Sequence, residues 1–356
     1  MNIHVIANEK FTKMFIELIS SKYNSEDNIV YVYNCEENVN YKNSKNIQYI
    51  DDLNQVKLNL LNGNGKLFIH AFYDKKIIRF LFKNIRKLKN NRLVLIAWGA
   101  DIYDNQFLLQ DGKLHLKTRF YEFLKKRIIK SCNLFMTFAC ADYDVIKHNY
   151  GGKGIQFDCL YPSNADIALL DKLKQKQKNS SIDKFRILLG NSATETNQHK
   201  EALDMLSRFK NREIEIICPL SYGDTTYASN IISYGVQIFG NKFIPITKYM
   251  STNEYCELLN SVDIAVFNHN RQQGTGNIEI LAYLGKKIFL RSDTTTWNHY
   301  VERDHCNFFD TKNILYMSFN EFVDINPDLL VVNELYFRKI WDINYIKSLW
   351  DKVLYY

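Results

Sequence analysis

Arg271-Gln272-Gln273-Gly274-Thr275-Gly276 puts a guanidinium, two amides and two glycines just after an apolar run, Ile264-Ala265-Val266-Phe267. A Gly-Thr-Gly turn that opens a helix offers backbone N–H groups and the positive end of the helix dipole to an anion such as a diphosphate. Arg271 can neutralise a phosphate leaving group as it departs. Glu279, on the first turns of the helix that follows, can accept from ribose hydroxyls; a surface acid drawn by the dipole is the competing reading. A bare Gly-Xaa-Gly is a weak signal, and the flanking Arg-Gln-Gln strengthens it.

Two more loops follow apolar runs in the same half of the chain. Gly190-Asn191-Ser192, with Asn197 and His199 close behind, comes after Leu188-Leu189. Glycine lets a backbone approach closely, and small hydroxyls beside a helix start can hold phosphate oxygens; an ordinary helix cap is the plainer alternative. Pro219-Leu220-Ser221-Tyr222 is the third, with Ser221 and Tyr222 as candidate donor-site residues. In the first half, His70 ends one apolar run and Asp101 closes Trp98-Gly99-Ala100-Asp101. Either can act as the general base on an acceptor hydroxyl. The alternatives are a buried, hydrogen-bonded imidazole and a turn or cap aspartate. Asp142-Tyr143-Asp144 has the spelling of a metal-binding Asp-Xaa-Asp, but it falls at a helix start that favours acids anyway. No His/Cys cluster has zinc spacing, so neither a metal nor another cofactor is expected.

These loops need strands to carry them. Short apolar runs of four to six residues alternate with helical stretches at Ile3–Ile6, Val30–Tyr33, Lys66–His70, Arg92–Trp98 and Asn133–Phe138. The pattern resumes at Phe185–Leu189, Ile214–Cys218, Val236–Phe239, Ile264–Phe267 and Lys287–Leu290. Such alternation indicates α/β structure with parallel sheets covered on both faces. Two Rossmann-like domains facing a cleft follow, with ligands beyond the carboxyl ends of the strands. The expected divisions are a domain over 1–165, a polar linker over 166–184, a second Rossmann-like domain over 185–335, and a C-terminal helix over 336–356 that can return to the first domain.

The net charge of +7 is uneven. Residues 75–130 hold fifteen Lys or Arg against four acids, so the rest of the chain is mildly acidic. Over 75–92 the apolar Ile77, Ile78, Leu81, Ile85 and Leu88 can share one helical face, with Lys76, Arg79, Lys83, Arg86 and Lys87 largely elsewhere. A second basic run spans 113–130. The basic face is expected to meet an anionic membrane surface or acceptor, or else to be simply solvated. No apolar run approaches the ~20 residues of a spanning helix, and the first residues do not read as a signal peptide. The seven cysteines form no Cys-Xaa-Xaa-Cys pair and lie mostly in apolar runs, as free thiols in a reducing compartment would. The expected location is cytoplasmic, on the inner face of the cell membrane.

Trp98-Gly99-Ala100-Asp101, Gly190-Asn191-Ser192 with Asn197 and His199, Pro219-Leu220-Ser221-Tyr222 and Arg271-Gln272-Gln273-Gly274-Xaa-Gly276 occur in an order and spacing that resembles a bacterial family. That family is the TDP-N-acetylfucosamine:lipid II N-acetylfucosaminyltransferases, glycosyltransferase family 56. The resemblance covers about His70 to Arg291. It implies a GT-B fold, a TDP-sugar donor such as TDP-Fuc4NAc held by the second domain, and a polyprenyl-diphosphate-linked acceptor held by the first. It also implies hexosyl transfer without a catalytic metal, in cell-surface polysaccharide synthesis. The N-terminal third and the lysine- and asparagine-rich surface depart from the family. Arg271 stands where the broader GT-B pattern often has the first of two glutamates, so that pair is absent. A GT-B nucleotide-sugar epimerase is the alternative, disfavoured by the scarcity of acids at the second-domain strand ends. A nucleic-acid-binding protein lacks a recognised motif.

Overall fold

The computed structural model describes residues 1–9, 11–35, 43–61, 63–88, 92–99, 101–103, 116–163, 165–177 and 184–356. Ala100, residues 178–183 of the polar stretch and the start of the second basic run lie outside them. The chain divides into two compact units, one of residues 1–164 and 340–356, the other of residues 165–339.

The first unit holds a seven-stranded sheet made of β1 (Asn2–Ala7), β2 (Asn28–Tyr33), β3 (Ile47–Tyr49), β4 (Leu67–His70), β5 (Leu93–Ala97), β6 (Leu134–Thr137) and β7 (Ile155–Asp158). Every pairing is parallel, in the order β3-β2-β1-β4-β5-β6-β7. The central strands are apolar on both faces because both are covered; Leu67, Phe68, Ile69 and Leu95 are wholly buried. The order reverses between β1 and β4. The loops after Ala7 and His70 therefore flank the crevice where open α/β sheets take their ligands.

Three helices of this unit matter for function: α1 (Thr12–Lys22), α2 (Lys75–Asn84) and α3 (Leu116–Ser131). Asp74 caps α2 by accepting from Lys76 N–H at 2.8 Å, a contact worth about 1 kcal/mol. Ile77, Ile78, Phe80 and Leu81 turn inward, and the Lys and Arg side chains point out. α4 (Asp142–Tyr150) stops at Gly151 in the left-handed conformation.

The second unit carries β8 (Phe185–Leu189), β9 (Ile214–Pro219), β10 (Phe243–Ile246), β11 (Ile264–Phe267), β12 (Lys287–Leu290) and β13 (Phe309–Asp310), all parallel, in the order β10-β9-β8-β11-β12-β13. Here the order reverses between β8 and β11. The sequence run 236–239, read as a strand, is instead the last turn of a helix: Phe239 continues the buried face of Ala228, Ile231 and Gly235, while Val236 is exposed. The polar stretch read as a linker begins as α5 (Ile167–Gln177). Leu170 and Leu173 are buried, and Asp171 accepts from Tyr283 O–H at 2.6 Å, so the Lys/Gln-rich end conceals an anchored helix. α6 (His199–Leu206), α7 (Thr225–Phe239), α8 (Thr252–Ser261) and α9 (Thr275–Tyr283) follow the strands. α10 (Pro327–Ile340) leads to α11 (Ile343–Leu354), which packs on the first unit: Trp350 is fully buried and its Nε1–H donates to Leu160 O at 2.9 Å.

Candidate functional site

At the β8/β11 reversal three loops are tied into one polar network. Gly190 ends β8 with φ +67°, and an added Cβ would stand 2.5 Å from His199 Nε2 and 2.7 Å from Asn197 Oδ1. Only glycine permits that approach. Asn197, almost fully buried, then organises the loop. Its Oδ1 accepts from Asn191 N–H at 2.9 Å, and its Nδ2 donates to Thr194 Oγ1 at 2.7 Å and Ser192 Oγ at 3.2 Å. His269, from the loop after β11, lies with Nε2 3.0 Å from the same Asn197 oxygen. The Asn191 N–H identifies that atom as oxygen, so His269 carries its proton on Nε2. Burial pushes the His269 imidazole down to about 3.

Gln273 closes the network. Its Nε2 donates to Asn191 Oδ1 at 3.2 Å, and its Oε1 accepts from Thr196 O–H. Asn191 Nδ2 reaches the third loop, donating to Tyr222 Oη at 2.8 Å. Gly274 caps α9 with φ +67°; a Cβ there would meet His269 Cε1 at 3.0 Å. Thr275 and Gly276 begin α9, with Gly276 exposed. Arg271 is half-buried and its Nη1–H donates to Gln272 O at 3.2 Å; the Gln272 side chain is buried. Glu279 accepts from Tyr300 O–H at 3.3 Å. His199 is fully buried, with Nδ1 3.1 Å from Tyr227 Oη and its other nitrogen facing Gly190 without a hydrogen-bond partner. Burial lowers its pKa to about 4. Beside Tyr222 lies a cavity of about 170 Å³, lined by Pro219, Ser221, Tyr222, Ile246, Lys248, Tyr249, Met250, Thr252 and Tyr255.

His70 and Asp101, the candidate bases of the first unit, are both fully buried. A single direction runs through the hydrogen bonds around His70. Lys66 N–H donates to Asn2 Oδ1, so Asn2 Nδ2 donates to Asn28 Oδ1, and that oxygen takes the His4 Nε2 proton. His4 Nδ1 is then the acceptor for His70 Nε2–H at 3.1 Å, and His70 Nδ1 accepts from Tyr161 O–H. Trp98 Nε1–H completes the chain on Tyr161 Oη at 3.3 Å. Both lone pairs that could take a proton are occupied, and burial drives both imidazoles well below their ordinary range. Asp101 accepts from Trp98 N–H at 2.9 Å and Phe72 N–H at 3.3 Å, which fastens the end of β5 to the loop after β4. Burial raises its carboxyl to about 6, against the opposing pull of Lys125.

A profile of the 4-alpha-L-fucosyltransferase family, glycosyl transferase group 56, matches residues 14–346. The chain belongs to that family. This group 56 glycosyltransferase also shares its fold with solved structures at low identity. One is the alpha,alpha-trehalose 6-phosphate synthase of Burkholderia multivorans, with TM-score 0.64, 7% identity, and coverage of 99% of this chain and 96% of that one. The N-terminal domain of Candida albicans trehalose-6-phosphate phosphatase gives 0.65 at 11% identity, covering 99% and 96%. WaaG, a glycosyltransferase involved in lipopolysaccharide biosynthesis, gives 0.53 at 11% identity, covering 99% and 98%. The fold is GT-B, two parallel-sheet α/β domains, and the activity is sugar transfer, which implies a nucleotide-sugar donor and a glycan acceptor.

Several residues of this group 56 enzyme escaped the sequence reading. His269 stands beside the Arg-Gln-Gln motif, but nothing in the spacing announces that it holds Asn197, 72 positions away. Glu9 is exposed at the carboxyl end of β1, beside the β1/β4 reversal, and accepts from Tyr73 O–H in the loop after β4. Phe11, Phe138 and Tyr161 stack at the same strand ends, Phe11 lying 5.3 Å from Tyr161 between centroids, and Trp98 meets Phe11 edge-on at 5.1 Å. Asp142 binds Tyr103 O–H at 2.7 Å and Asp144 pairs with Lys147 at 2.6 Å, so each half of the Asp-Xaa-Asp spelling has a structural partner. Among the described residues no group of three His, Cys, Asp or Glu side chains could hold a metal ion, and no helix is long and apolar enough to cross a membrane. All seven cysteines are free.

Proposed function

We propose that this glycosyltransferase moves a hexosyl group, an N-acetylated 6-deoxyhexose such as Fuc4NAc, from a pyrimidine nucleoside diphosphate to a hydroxyl of a polyprenyl-diphosphate-linked glycan. The reading rests on one observation above the rest: three strand-end loops knit around Gly190 and Gly274, with Arg271 half-exposed in the loop that leads into α9. The diphosphate binds at that helix start. The base occupies the cavity bounded by Tyr222, Tyr249 and Tyr255, whose flat rings suit a pyrimidine.

In the step itself, the bond from the anomeric carbon to the diphosphate oxygen breaks, and the diphosphate leaves with the electron pair. Arg271 and the α9 N–H groups take up its charge, without a metal. The anomeric carbon bonds to the acceptor oxygen, and the hydroxyl proton passes to a carboxylate. Because His70 and Asp101 are buried in structural hydrogen bonds, the proposed base is Glu9, with the aromatic shelf of Phe11, Trp98 and Phe138 as the surface for the acceptor glycan.

The location proposed is an anionic bilayer surface. Phe82, Phe120 and Phe123 are exposed on α2 and α3 by 38%, 56% and 55%, among Arg79, Lys83, Arg86, Lys87, Arg119, Lys126 and Arg127. Each well-placed cation adds about 1 kcal/mol near such a surface.

A thermal-shift screen of TDP, UDP and GDP tests the donor assignment. A ligand at about 100 times its dissociation constant stabilises the fold by ~2.7 kcal/mol. The proposal expects TDP to lead; GDP leading, or no nucleotide acting, removes it.

A further inference from the structure

The first unit contains a cavity of about 330 Å³ that the proposed reaction does not use. Its two walls have opposite character. Lys76, Arg79 and Lys83 line one side from successive turns of a single face of α2. Asp51, Asp52 and Asn54 line the other, and the buried Tyr33, Leu53 and Phe80 complete the lining.

The walls do not neutralise each other. Among the described residues none of the three cations is ion-paired: Lys76 Nζ donates to Asn34 Oδ1 at 3.1 Å, and the Arg79 guanidinium lies over the Tyr121 ring at 5.2 Å. Asp52 is fixed by accepting from Asn54 N–H at 2.8 Å, and Asp51 is exposed. Opposite charges sharing a cavity without pairing leave both free to engage a ligand that carries both signs. Its volume lies in the range of small-molecule sites, at the lower end. Lysine and arginine side by side are the usual partners of a phosphate. A carboxylate across from them accepts only, so the far end of the ligand must donate.

We propose that this cavity binds a small phosphate ester that also bears an ammonium or hydroxyl donor, with the phosphate against α2 and the donor against Asp51. Two sources offer that chemistry, a soluble amino-sugar phosphate and the headgroup of a phosphoethanolamine lipid.

Calorimetric titration of the full chain with glucosamine 1-phosphate, phosphoethanolamine, inorganic phosphate and glucosamine tests it. The two zwitterions are expected to bind, phosphate more weakly, and glucosamine not at all. Removing both exposed cations in the R79A/K83A variant should weaken binding roughly a hundredfold, about tenfold for each charge-assisted hydrogen bond to the phosphate that disappears. Asp51→Asn should weaken the zwitterions while leaving inorganic phosphate unchanged, a split that loss of fold would not produce. Co-sedimentation with phosphoethanolamine-lipid vesicles separates the sources. Vesicle binding that R79A/K83A abolishes and soluble phosphoethanolamine displaces assigns the headgroup; binding of the soluble esters alone assigns the metabolite. Absence of binding by every probe, or binding undiminished in R79A/K83A, overturns the proposal. A retained thermal shift with TDP in the variant shows that the second unit is intact and keeps this result separate from the donor assignment.

Discussion

His70 Nε2 stands 3.1 Å from His4 Nδ1, with both rings fully buried, and the direction of that bond is set by the backbone N–H of Lys66 through Asn2 and Asn28. A histidine so placed has no lone pair to offer a substrate. Replacing it by alanine leaves His4 Nδ1 without its donor and the Tyr161 hydroxyl proton without its acceptor, and opens a void beside Trp350, whose ring stacks on His70 at 5.8 Å. Each orphaned buried group costs ~1–3 kcal/mol. The expected outcome for His70→Ala is a melting temperature lower by ten degrees or more, with turnover per folded molecule within about twofold of the parent. Denaturant melts and active-site-normalised rates check it. A hundredfold loss of turnover at unchanged stability would restore His70 as the base.

Glu9→Gln makes the opposite prediction. The side chain is exposed, and glutamine still accepts from Tyr73. Stability should stay within ~0.5 kcal/mol. Turnover should fall by a factor of about 10²–10⁴ through loss of the base, with the acceptor KM little changed and the acidic limb of the pH–rate profile gone. A parental rate would exclude Glu9.

Arg271 separates charge from shape. Alanine at this half-exposed position should leave melting unchanged and lower kcat by about 10²–10³, the scale of one preorganised transition-state contact. Lysine restores the charge but not the planar fork, so Arg271→Lys should recover part of the loss. Steady-state kinetics of both variants decide the matter, and a parental rate in Arg271→Ala would remove the loop from the proposal.

What the sequence displayed and what it withheld follow from the range of the forces involved. Strand runs such as Leu93–Ala97 were legible because burial on both faces demands continuous apolar residues. Gly190 and Gly274 were legible as loop positions because φ near +67° excludes most side chains. The partnership of His269 with Asn197 was not, since hydrogen bonds between distant loops leave no local period. Glu9 was hidden for a related reason: one acid after a strand looks like any other until strand order puts the β1/β4 reversal beside it. The α5 helix was obscured because its exposed half is rich in Lys and Gln, while only Leu170 and Leu173 mark the buried side.

Gly190→Ala and Gly274→Ala differ in a way that can be measured. Both force a Cβ into left-handed backbone, costing ~1–2 kcal/mol. At Gly190 the Cβ also collides with His199 and Asn197, whereas at Gly274 its nearest neighbour is His269 Cε1 at 3.0 Å, a contact that small shifts can absorb. Gly190→Ala should therefore lose more stability, and both should weaken donor binding by displacing Asn197 or the start of α9. Calorimetric melts with and without TDP check the ranking.

Acid should unfold the protein early. Burial holds His4 and His269 at about 3 and His199 at about 4, against an ordinary 6.5. A depressed histidine means that the unfolded chain takes up a proton the folded one refuses. The stability from keeping each ring neutral is therefore complete above pH 6.5 and drains as pH falls toward 3–4. At pH 5 that amounts to roughly 2 kcal/mol for each ring. Asp101 works the other way. Its carboxyl is raised from 3.8 to about 6, so its contribution is present below 3.8 and lost as pH rises through 6. One carboxyl shifted by about two units cannot offset three histidines shifted further, and the balance favours unfolding in acid. Calorimetry should show the melting temperature falling steadily from pH 6.5 to 5. His269→Gln, which removes one of the titrating rings, should melt lower at pH 8 yet lose less between pH 6.5 and 5. A melting temperature flat across that interval would mean that these rings are not held neutral in the folded protein.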